Sequence, residues 1–239
     1  MYLTTEAIVL QLHPYKDNSA VVKLYTREMG LLSCWVSSIH KKTSKTRVSV
    51  LQPLSITNAE ISHKENNNLT QLKEIETAVH TNSISMNIEK SSIAIFLSEL
   101  IMRCFKESSQ DETLYEFVRD SICLLNETKK KCTNFHILFI IRLSEQLGLL
   151  PKGNISELTP YFNLEESKYQ HSKPMHPHYL DAEESKWLSI LTPLPMEQFY
   201  VPVIPSDVRK KLLRGLLEYF ELHFGMAPLK SHLVLEEVF

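Results

Sequence analysis

Residues 20–37 read AVVKLYTREMGLLSCWVS, and this stretch decides the fold. Its first part, residues 20–26, is rich in β-forming side chains. The short connection at residues 27–30 ends in glycine, as a hairpin turn favours. After the turn, Leu32, Cys34 and Val36 alternate with polar or aromatic residues, which is the period of a half-buried strand. The stretch therefore predicts two antiparallel strands joined by a tight turn.

The β-strand pattern extends in both directions from this hairpin. Residues 6–12 form an earlier β-rich run that ends in a turn at residues 15–19. Pro53 interrupts the next stretch, so the fourth strand is predicted at residues 54–63. A fifth strand is predicted at residues 69–77, after a polar turn. Five short strands in about 80 residues predict a small closed barrel. An oligonucleotide/oligosaccharide-binding (OB) barrel is the natural candidate, although strand count alone does not separate it from an SH3-like barrel.

From about residue 84 the hydrophobic period becomes that of helices. Apolar side chains from Ile93 to Phe105 share one broad face, and a second helix is predicted at residues 114–125. Residues 135–147 are apolar nearly all round, which predicts the central and most buried helix.

The remaining third of the chain is less regular. Residues 151–180 contain four prolines and read as irregular, and Asp181 is predicted to cap a short helix. A last long helix is predicted to begin at Ser206 or Asp207. The predicted fold class is thus α+β. The five-stranded OB barrel would be a nucleic-acid-binding domain at residues 1–80, followed by an α-helical domain at residues 81–239.

Composition limits the function classes. The 239 residues carry 26 basic and 28 acidic side chains, a formal net charge of −2, so binding to nucleic acid requires a local basic patch. Only five glycines are present, which argues against Gly-rich phosphate loops. No motif of a nucleotide-hydrolysing, zinc-dependent or serine enzyme is found. We therefore expect that the protein is not an enzyme.

The cysteines and apolar runs bear on cellular location. Cys34, Cys104, Cys123 and Cys132 form no C-x-x-C pair, and buried reduced thiols are the simplest interpretation. No apolar run approaches the roughly 20 residues needed to span a bilayer. The first residues lack the basic and apolar segments of a signal peptide. A cytoplasmic location is expected.

One basic segment favours nucleic-acid binding. It includes Lys41, Lys42, Lys45 and Arg47, contains no acidic residue, and lies in the longest loop of the predicted barrel. Nearby in sequence are two further cations and one aromatic, namely Lys23, Arg27 and Trp35. Single strands need cations for phosphates and flat rings for unstacked bases. The alternative is an ordinary solvated loop with Trp35 packed in the core.

Two other clusters contain side chains that could bind a ligand. His171, His176 and His178, with Cys132 upstream, lack the paired spacing of a structural zinc site, so we predict a polar surface loop and no metal. The last helix carries four cations in its first two turns, at Arg209, Lys210, Lys211 and Arg214. Either an acidic partner or simple solubility would explain them.

Several segments, taken in order, resemble the bacterial RecO family of recombination mediators. They are TEAIVL at residues 5–10, Tyr15, VKLYTREMGLLS at 22–33, the basic loop, LQPL at 51–54, residues 135–143, LGLLP at 147–151 and LKS at 229–231. The resemblance covers nearly the whole chain. It implies an OB-fold domain joined to an α-helical domain.

The resemblance also implies a function. RecO-like proteins bind single- and double-stranded DNA, anneal complementary strands, and work with RecR to load RecA onto strands coated by single-strand-binding protein. Carried over by position, the DNA-contacting residues are Lys23, Arg27, Lys41, Lys42, Lys45 and Arg47, with Trp35 as a candidate for base stacking. We further hypothesise that Arg209, Lys210 and Arg214 receive the acidic, hydrophobic-ended tail of single-strand-binding protein.

The chain departs from the family in one respect. Many members carry a four-cysteine zinc module after the segment that matches residues 147–151, whereas no cysteine follows Cys132 here. We therefore predict no zinc and no other cofactor. The alternative to DNA binding is a protein-interaction scaffold whose barrel never contacts DNA.

Overall fold

The computed structural model describes residues 2–15, 19–37, 48–62, 70–105 and 110–239. The chain forms two compact units, Met1–Thr128 and Lys129–Phe239. The first unit includes helices that follow the barrel, because α2 (Ile88–Cys104) packs on the first strand. The proposed domain boundary at residue 80 stays a prediction.

The first unit begins with the five predicted strands. They are β1 (Tyr2–Tyr15), β2 (Ser19–Thr26), β3 (Gly30–Ser37), β4 (Ile56–Ser62) and β5 (Thr70–Val79). They close into a barrel in the order β1-β2-β3-β5-β4, with β4 pairing back onto β1. Neighbouring strands are antiparallel except for β3 and β5. This strand order is that of an OB fold, so the predicted fold is confirmed and the SH3-like alternative is removed.

The barrel interior is filled by the apolar half of each alternating pattern. Val22, Leu24, Cys34 and Val36 belong to one buried core cluster with residues from β1, β4 and β5. The same alternation places the intervening side chains outside.

Strand β1 is longer than predicted because it serves two neighbours. Residues 2–8 pair with β4 and residues 7–15 pair with β2, with a register shift between Val9 and Gln11. Such an irregularity bends a strand around a barrel corner. Tyr15 and Ser19, which the sequence assigned to a turn, belong instead to β1 and β2.

Strand β4 begins at Ile56, two residues later than predicted. Leu54 has a left-handed φ of 60° and cannot continue a strand. Its N–H donates to the carbonyl of Val9 at 2.8 Å, and its side chain is fully buried. The tight turn at Leu54 thus closes this end of the barrel.

In the described part of the first unit, the strands are followed by helices α1 (Asn82–Met86), α2 and α3 (Glu112–Glu127). The predicted apolar face of α2 is confirmed, but the helix starts at Ile88 because the Asn87 side chain caps it by accepting from Lys90 N at 3.1 Å. Helix α1 was not predicted. The buried Lys90 ammonium donates to Ser83 Oγ (2.7 Å), Asn126 O (2.9 Å) and Thr128 O (2.8 Å), which ties α2 to α1 and to the end of α3.

The second unit is built on α4 (Phe135–Gln146), whose side chains from Phe135 to Ile141 are all buried. This confirms the prediction of a central buried helix. Its remaining elements are β6 (Tyr161–Asn163), β7 (Lys168–Gln170), β8 (Tyr179–Leu180), α5 (Ala182–Leu191), α6 (Ser206–Phe224) and α7 (His232–Val238). The sheet of order β7-β6-β8 lies where the sequence predicted an irregular stretch.

Two helices of this unit end at a glycine, whereas the side-chain cap predicted at the start of α5 does not form. Gly148 and Gly225 have left-handed φ values of 79° and 61° just after α4 and α6, as glycines at helix C-termini commonly do. Asp181 precedes α5 without a side-chain cap hydrogen bond.

Across the described ranges, no helix is both long and apolar enough to cross a membrane.

Candidate nucleic-acid interface

The outer surface of β2 and β3 carries the side chains that these strands do not send into the core. Val22 and Leu24 are fully buried, so Lys23 between them points outward. Trp35 likewise lies between buried Cys34 and Val36 and is half-buried on the outside. The structure therefore places Trp35 away from the barrel core, a point that the sequence left open.

Strand register aligns the outward side chains into two rows across the barrel. One row runs through His13, Val21, Trp35 and Gln71. The other runs through Gln11, Lys23 and Ser33. We call these two rows, together with Tyr15, the barrel face. None of its side chains is acidic.

An aromatic pair lies at one end of the barrel face. The rings of Tyr15 and Trp35 meet edge to face, with centroids 5.3 Å apart and an interplanar angle of 72°. Tyr15 is 51% exposed. Surface rings of this kind provide the flat partner on which an unstacked base packs.

Lys23 and Trp35 are diagonal neighbours on adjacent strands. Lys23 lies opposite Ser33, and Trp35 is two residues further along β3, opposite Val21. Diagonal neighbours on one face are about 7–8 Å apart, within reach of long side chains. The ammonium of Lys23 donates to Ser33 Oγ at 2.5 Å. The structure thus brings a cation, a hydroxyl and an aromatic pair together on the β2–β3 surface.

The predicted basic loop cannot be placed on this surface. Lys41, Lys42, Lys45 and Arg47 lie outside the described residues. Their role in DNA binding stays a prediction.

Arg27 lies away from the barrel face, in the turn after β2. Its guanidinium approaches the carboxylates of Glu6 (3.2 Å) and Glu116 (2.5 Å) and lies 5.1 Å from the centroid of the Tyr115 ring. Glu6 also accepts from Arg119 at 2.9 Å. Burial, reinforced by Glu6, raises the pKa of Tyr115, so its hydroxyl remains a donor. These contacts connect the barrel to α3, and the predicted DNA contact of Arg27 stays untested.

The three cations predicted to bind a partner lie on α6 but in different environments. Arg209 is buried and donates to the carbonyls of Ile204 and Phe239. Arg214 is exposed and pairs with Glu236, while Lys210 is half-buried between them. The sequence did not reveal that residues from α7 and just beyond it would contact this cluster.

Two of the histidines that the sequence offered as metal ligands are engaged with one another and with a carboxylate. The rings of His176 and His178 stack at 5.8 Å, and His178 hydrogen-bonds Glu218. Within the part of the chain that the structure describes, no group of three or more His, Cys, Asp or Glu side chains could hold a metal ion. Burial also raises the pKa of Cys34 and Cys104 to about 12, which disfavours the thiolates that zinc binds.

A separate cavity of about 400 Å³ lies in the first unit, between the loop before β4, the end of β5 and helices α1 and α2. Ser55, Thr77 and Ser91 are among the side chains that line it. None of the described residues around it is Lys or Arg. It therefore lacks the cations that phosphates require and is a poorer DNA site than the barrel face.

Sequence reasoning missed His13, Tyr15 and Gln71 as parts of the barrel face. The signal that could have found His13 and Tyr15 is the β-strand period, which continues past the predicted end of β1 at residue 12. Gln71 was included in a predicted strand, but its alignment with Trp35 depends on the parallel β3–β5 pairing. That pairing joins strands that are distant in sequence.

Comparison with known proteins gives a consistent result over the full length. Residues 1–79 match the family "Recombination protein O N terminal", and residues 86–233 match "Recombination protein O C terminal". A protein named "DNA repair protein RecO" from Azobacteroides pseudotrichonymphae is 32% identical over 240 residues, covering 100% of both chains. Proteins with the same name from Phocaeicola vulgatus and Porphyromonas gingivalis are 30% and 26% identical, covering 100% and 96% of this chain and 100% and 95% of their own.

Proposed function

The chain belongs to the recombination protein O family, and from this premise we propose that it binds single- and double-stranded DNA and anneals complementary strands. Family membership gives it a role in DNA repair and recombination. In that role it would load RecA together with RecR. We expect it to act without catalysis and in the cytoplasm.

The barrel face is the observation that carries this proposal. OB folds bind oligonucleotides mainly through the outer surface of strands 2 and 3 and the adjoining loops. Here that surface holds Lys23, Ser33 and Trp35, with Tyr15 beside it, and it contains no carboxylate. A cation beside aromatic rings suits a phosphate beside an unstacked base.

The proposed mechanism does not read sequence. Lys23 of the barrel face and the cations of the basic loop neutralise the sugar-phosphate backbone, and the rings stack on whichever bases are present. Two complementary strands held on one neutralising surface repel each other less, so annealing becomes faster. Each neutralised phosphate releases counterions, so the affinity falls steeply as salt rises.

Partner binding is proposed for the second unit. Arg209, Lys210 and Arg214 on α6 would receive the acidic, hydrophobic-ended tail of single-strand-binding protein. In this proposal the barrel contacts DNA, and the helical unit brings the protein to strands coated by single-strand-binding protein.

The test is binding of a fluorescent single-stranded oligonucleotide over a range of salt concentrations. Replacing Lys41, Lys42, Lys45 and Arg47 by Ala should weaken binding and lower the slope of log affinity against log salt by about 3, since each phosphate contact on a single strand contributes about 0.7. The matched control replaces four exposed lysines of the second unit, namely Lys129, Lys131, Lys152 and Lys186. It should leave the slope unchanged.

The opposite results are equally informative. Affinity that does not vary with salt contradicts a phosphate-binding barrel. Equal losses in the loop variant and the control place the site elsewhere. If the wild-type protein binds no DNA at any salt concentration, the scaffold interpretation replaces this proposal.

A further inference from the structure

Helix α6 presents its cations to a later segment of the same chain. Arg214 makes a two-pronged hydrogen bond to Glu236, with Nε–Oε1 at 2.7 Å and Nη2–Oε2 at 2.6 Å. The Glu236 side chain is 12% exposed, and the hydrogen bond from Arg214 holds its pKa below the usual value. Lys210 adds a further attraction to the same carboxylate. The first anchor of this contact is therefore an ionised carboxylate.

Phe239 supplies a second anchor three residues further along. Its carbonyl accepts from the Arg209 guanidinium and from Ser206 Oγ, the latter at 3.3 Å. Its ring stacks on the buried imidazole of His136, with centroids 5.6 Å apart and planes 21° from parallel. Together, the two anchors present a carboxylate and, three residues later, an aromatic ring to one surface.

We propose that His136, Arg209, Lys210 and Arg214 form a peptide receptor, and that α7 with Phe239 is its internal occupant. The receptor recognises a carboxylate three residues before an aromatic ring, and an acidic partner peptide of that chemistry binds by displacing Glu236 and Phe239. The inference rests on the partner-binding role proposed above for α6. It adds that the site is already filled and that binding is a competition.

The occupant is held in a way that permits exchange. Helix α7 spans seven residues, too few for a helix to be stable without its contacts. Its Leu235 is buried, but Leu233 and Val234 are 55% and 42% exposed, so α7 is packed on one side. Arg214 is itself 62% exposed, and exposed ion pairs contribute little to stability. A partner peptide that supplies the same carboxylate and aromatic ring can therefore replace α7.

The experiment uses the full chain and a fluorescent synthetic peptide that copies residues 232–239. The double variant E236Q/F239A removes both internal anchors, and the matched control L233A changes an exposed α7 residue that is neither anchor. The apparent affinity of a site is reduced by the fraction of molecules in which it is closed, so the double variant should bind the peptide about tenfold or more tightly than the wild-type protein. L233A should bind like the wild type. Adding K210E and R214E to the double variant should abolish binding.

Two results overturn the proposal. If the wild-type protein and E236Q/F239A bind the peptide equally, α7 does not compete for the surface. If neither binds it, the surface is not a peptide receptor. DNA binding measured on the same preparations separates both results from failure of the DNA-binding function, because the barrel face carries none of these substitutions.

A second measurement keeps the test valid if the double variant unfolds. Amide hydrogen exchange of residues 232–239 in the wild-type protein should accelerate when saturating peptide is added, since the displaced helix loses its protection. Unchanged exchange at saturation contradicts displacement.

Discussion

The barrel face carries one lysine, Lys23, whereas α6 carries a cluster of cations, and the side chains around these cations differ in kind. On the barrel face, Lys23 hydrogen-bonds a hydroxyl of the neighbouring strand, and Trp35 packs on Tyr15. On α6, Arg209 and Arg214 contact a carbonyl and a carboxylate of one later segment. The first surface combines a cation with a hydroxyl and aromatic rings, whereas the second holds a later segment of its own chain. A cluster of basic residues in a sequence therefore does not by itself specify the class of ligand.

Arg27 and Lys90 show a third use of a cation, which is to hold the fold together. Arg27 connects the barrel to α3 through Glu6 and Glu116, and Lys90 satisfies two backbone carbonyls at the end of α3. Substitution of a cation that stabilises the fold should lower the free energy of unfolding, whereas substitution of one that contacts a ligand should lower ligand affinity.

The largest effect is expected from Lys90→Met. The substitution keeps the length of the side chain but removes three hydrogen bonds from a buried charged group, and it leaves the carbonyls of Asn126 and Thr128 without this donor. We expect a loss of about 3 kcal/mol in the free energy of unfolding, measured by urea denaturation. Lys73→Met, at an exposed position on β5, is the matched control and should have almost no effect. Equal values for the two variants would show that Lys90 is not structural.

A smaller effect is expected from His136 as the pH falls. Burial, with a contribution from Arg209, lowers the pKa of His136 from 6.5 to about 3 in the folded protein. Below pH 6.5 the unfolded chain binds a proton that the folded chain excludes, so stability decreases as pH falls and is fully present above that value. Between pH 7 and pH 5 this amounts to about 2 kcal/mol.

The check is a comparison of unfolding free energies at the two pH values for the wild type and His136→Asn. The variant should lose less stability than the wild type over this range. If both lose the same amount, His136 is not the group responsible.

The smallest effect is expected from the pair Arg214 and Glu236. A double-mutant cycle with Arg214→Ala and Glu236→Ala should give a coupling free energy of about 0.5 kcal/mol in low salt, because the arginine is largely exposed. The coupling should decrease as salt is added. A coupling of several kcal/mol would mean that α7 is too firmly held to be displaced by a peptide.

The barrel could be predicted because its signals are local. The alternation at residues 32–37 and the turn at residues 27–30 are each read within a few positions, and five such strands in about 80 residues indicated a closed barrel. The central helix α4 was predicted for the same reason. The start of α2 could not be read from the apolar pattern, because Asn87 caps the helix before that pattern begins.

The features that escaped prediction depend on contacts between distant residues or on very short elements. Strands β6, β7 and β8 have three, three and two residues, too few to establish a period. The ion pairs of Arg27 with Glu116 and of Arg214 with Glu236 join residues that only the folded chain brings together. A basic side chain looks the same in sequence whether it contacts DNA or a carboxylate of its own protein.

We propose that the barrel face contacts DNA and that Arg27 acts mainly by stabilising the fold through Glu6 and Glu116. The most direct test measures single-stranded DNA affinity and thermal unfolding for Lys23→Ala and Arg27→Ala together. We predict that Lys23→Ala weakens DNA binding severalfold and leaves the unfolding temperature almost unchanged. Arg27→Ala should lower the unfolding temperature and leave DNA affinity within about twofold, since its guanidinium is engaged by carboxylates. The reverse pattern, with DNA affinity lost in Arg27→Ala and retained in Lys23→Ala, would contradict the account.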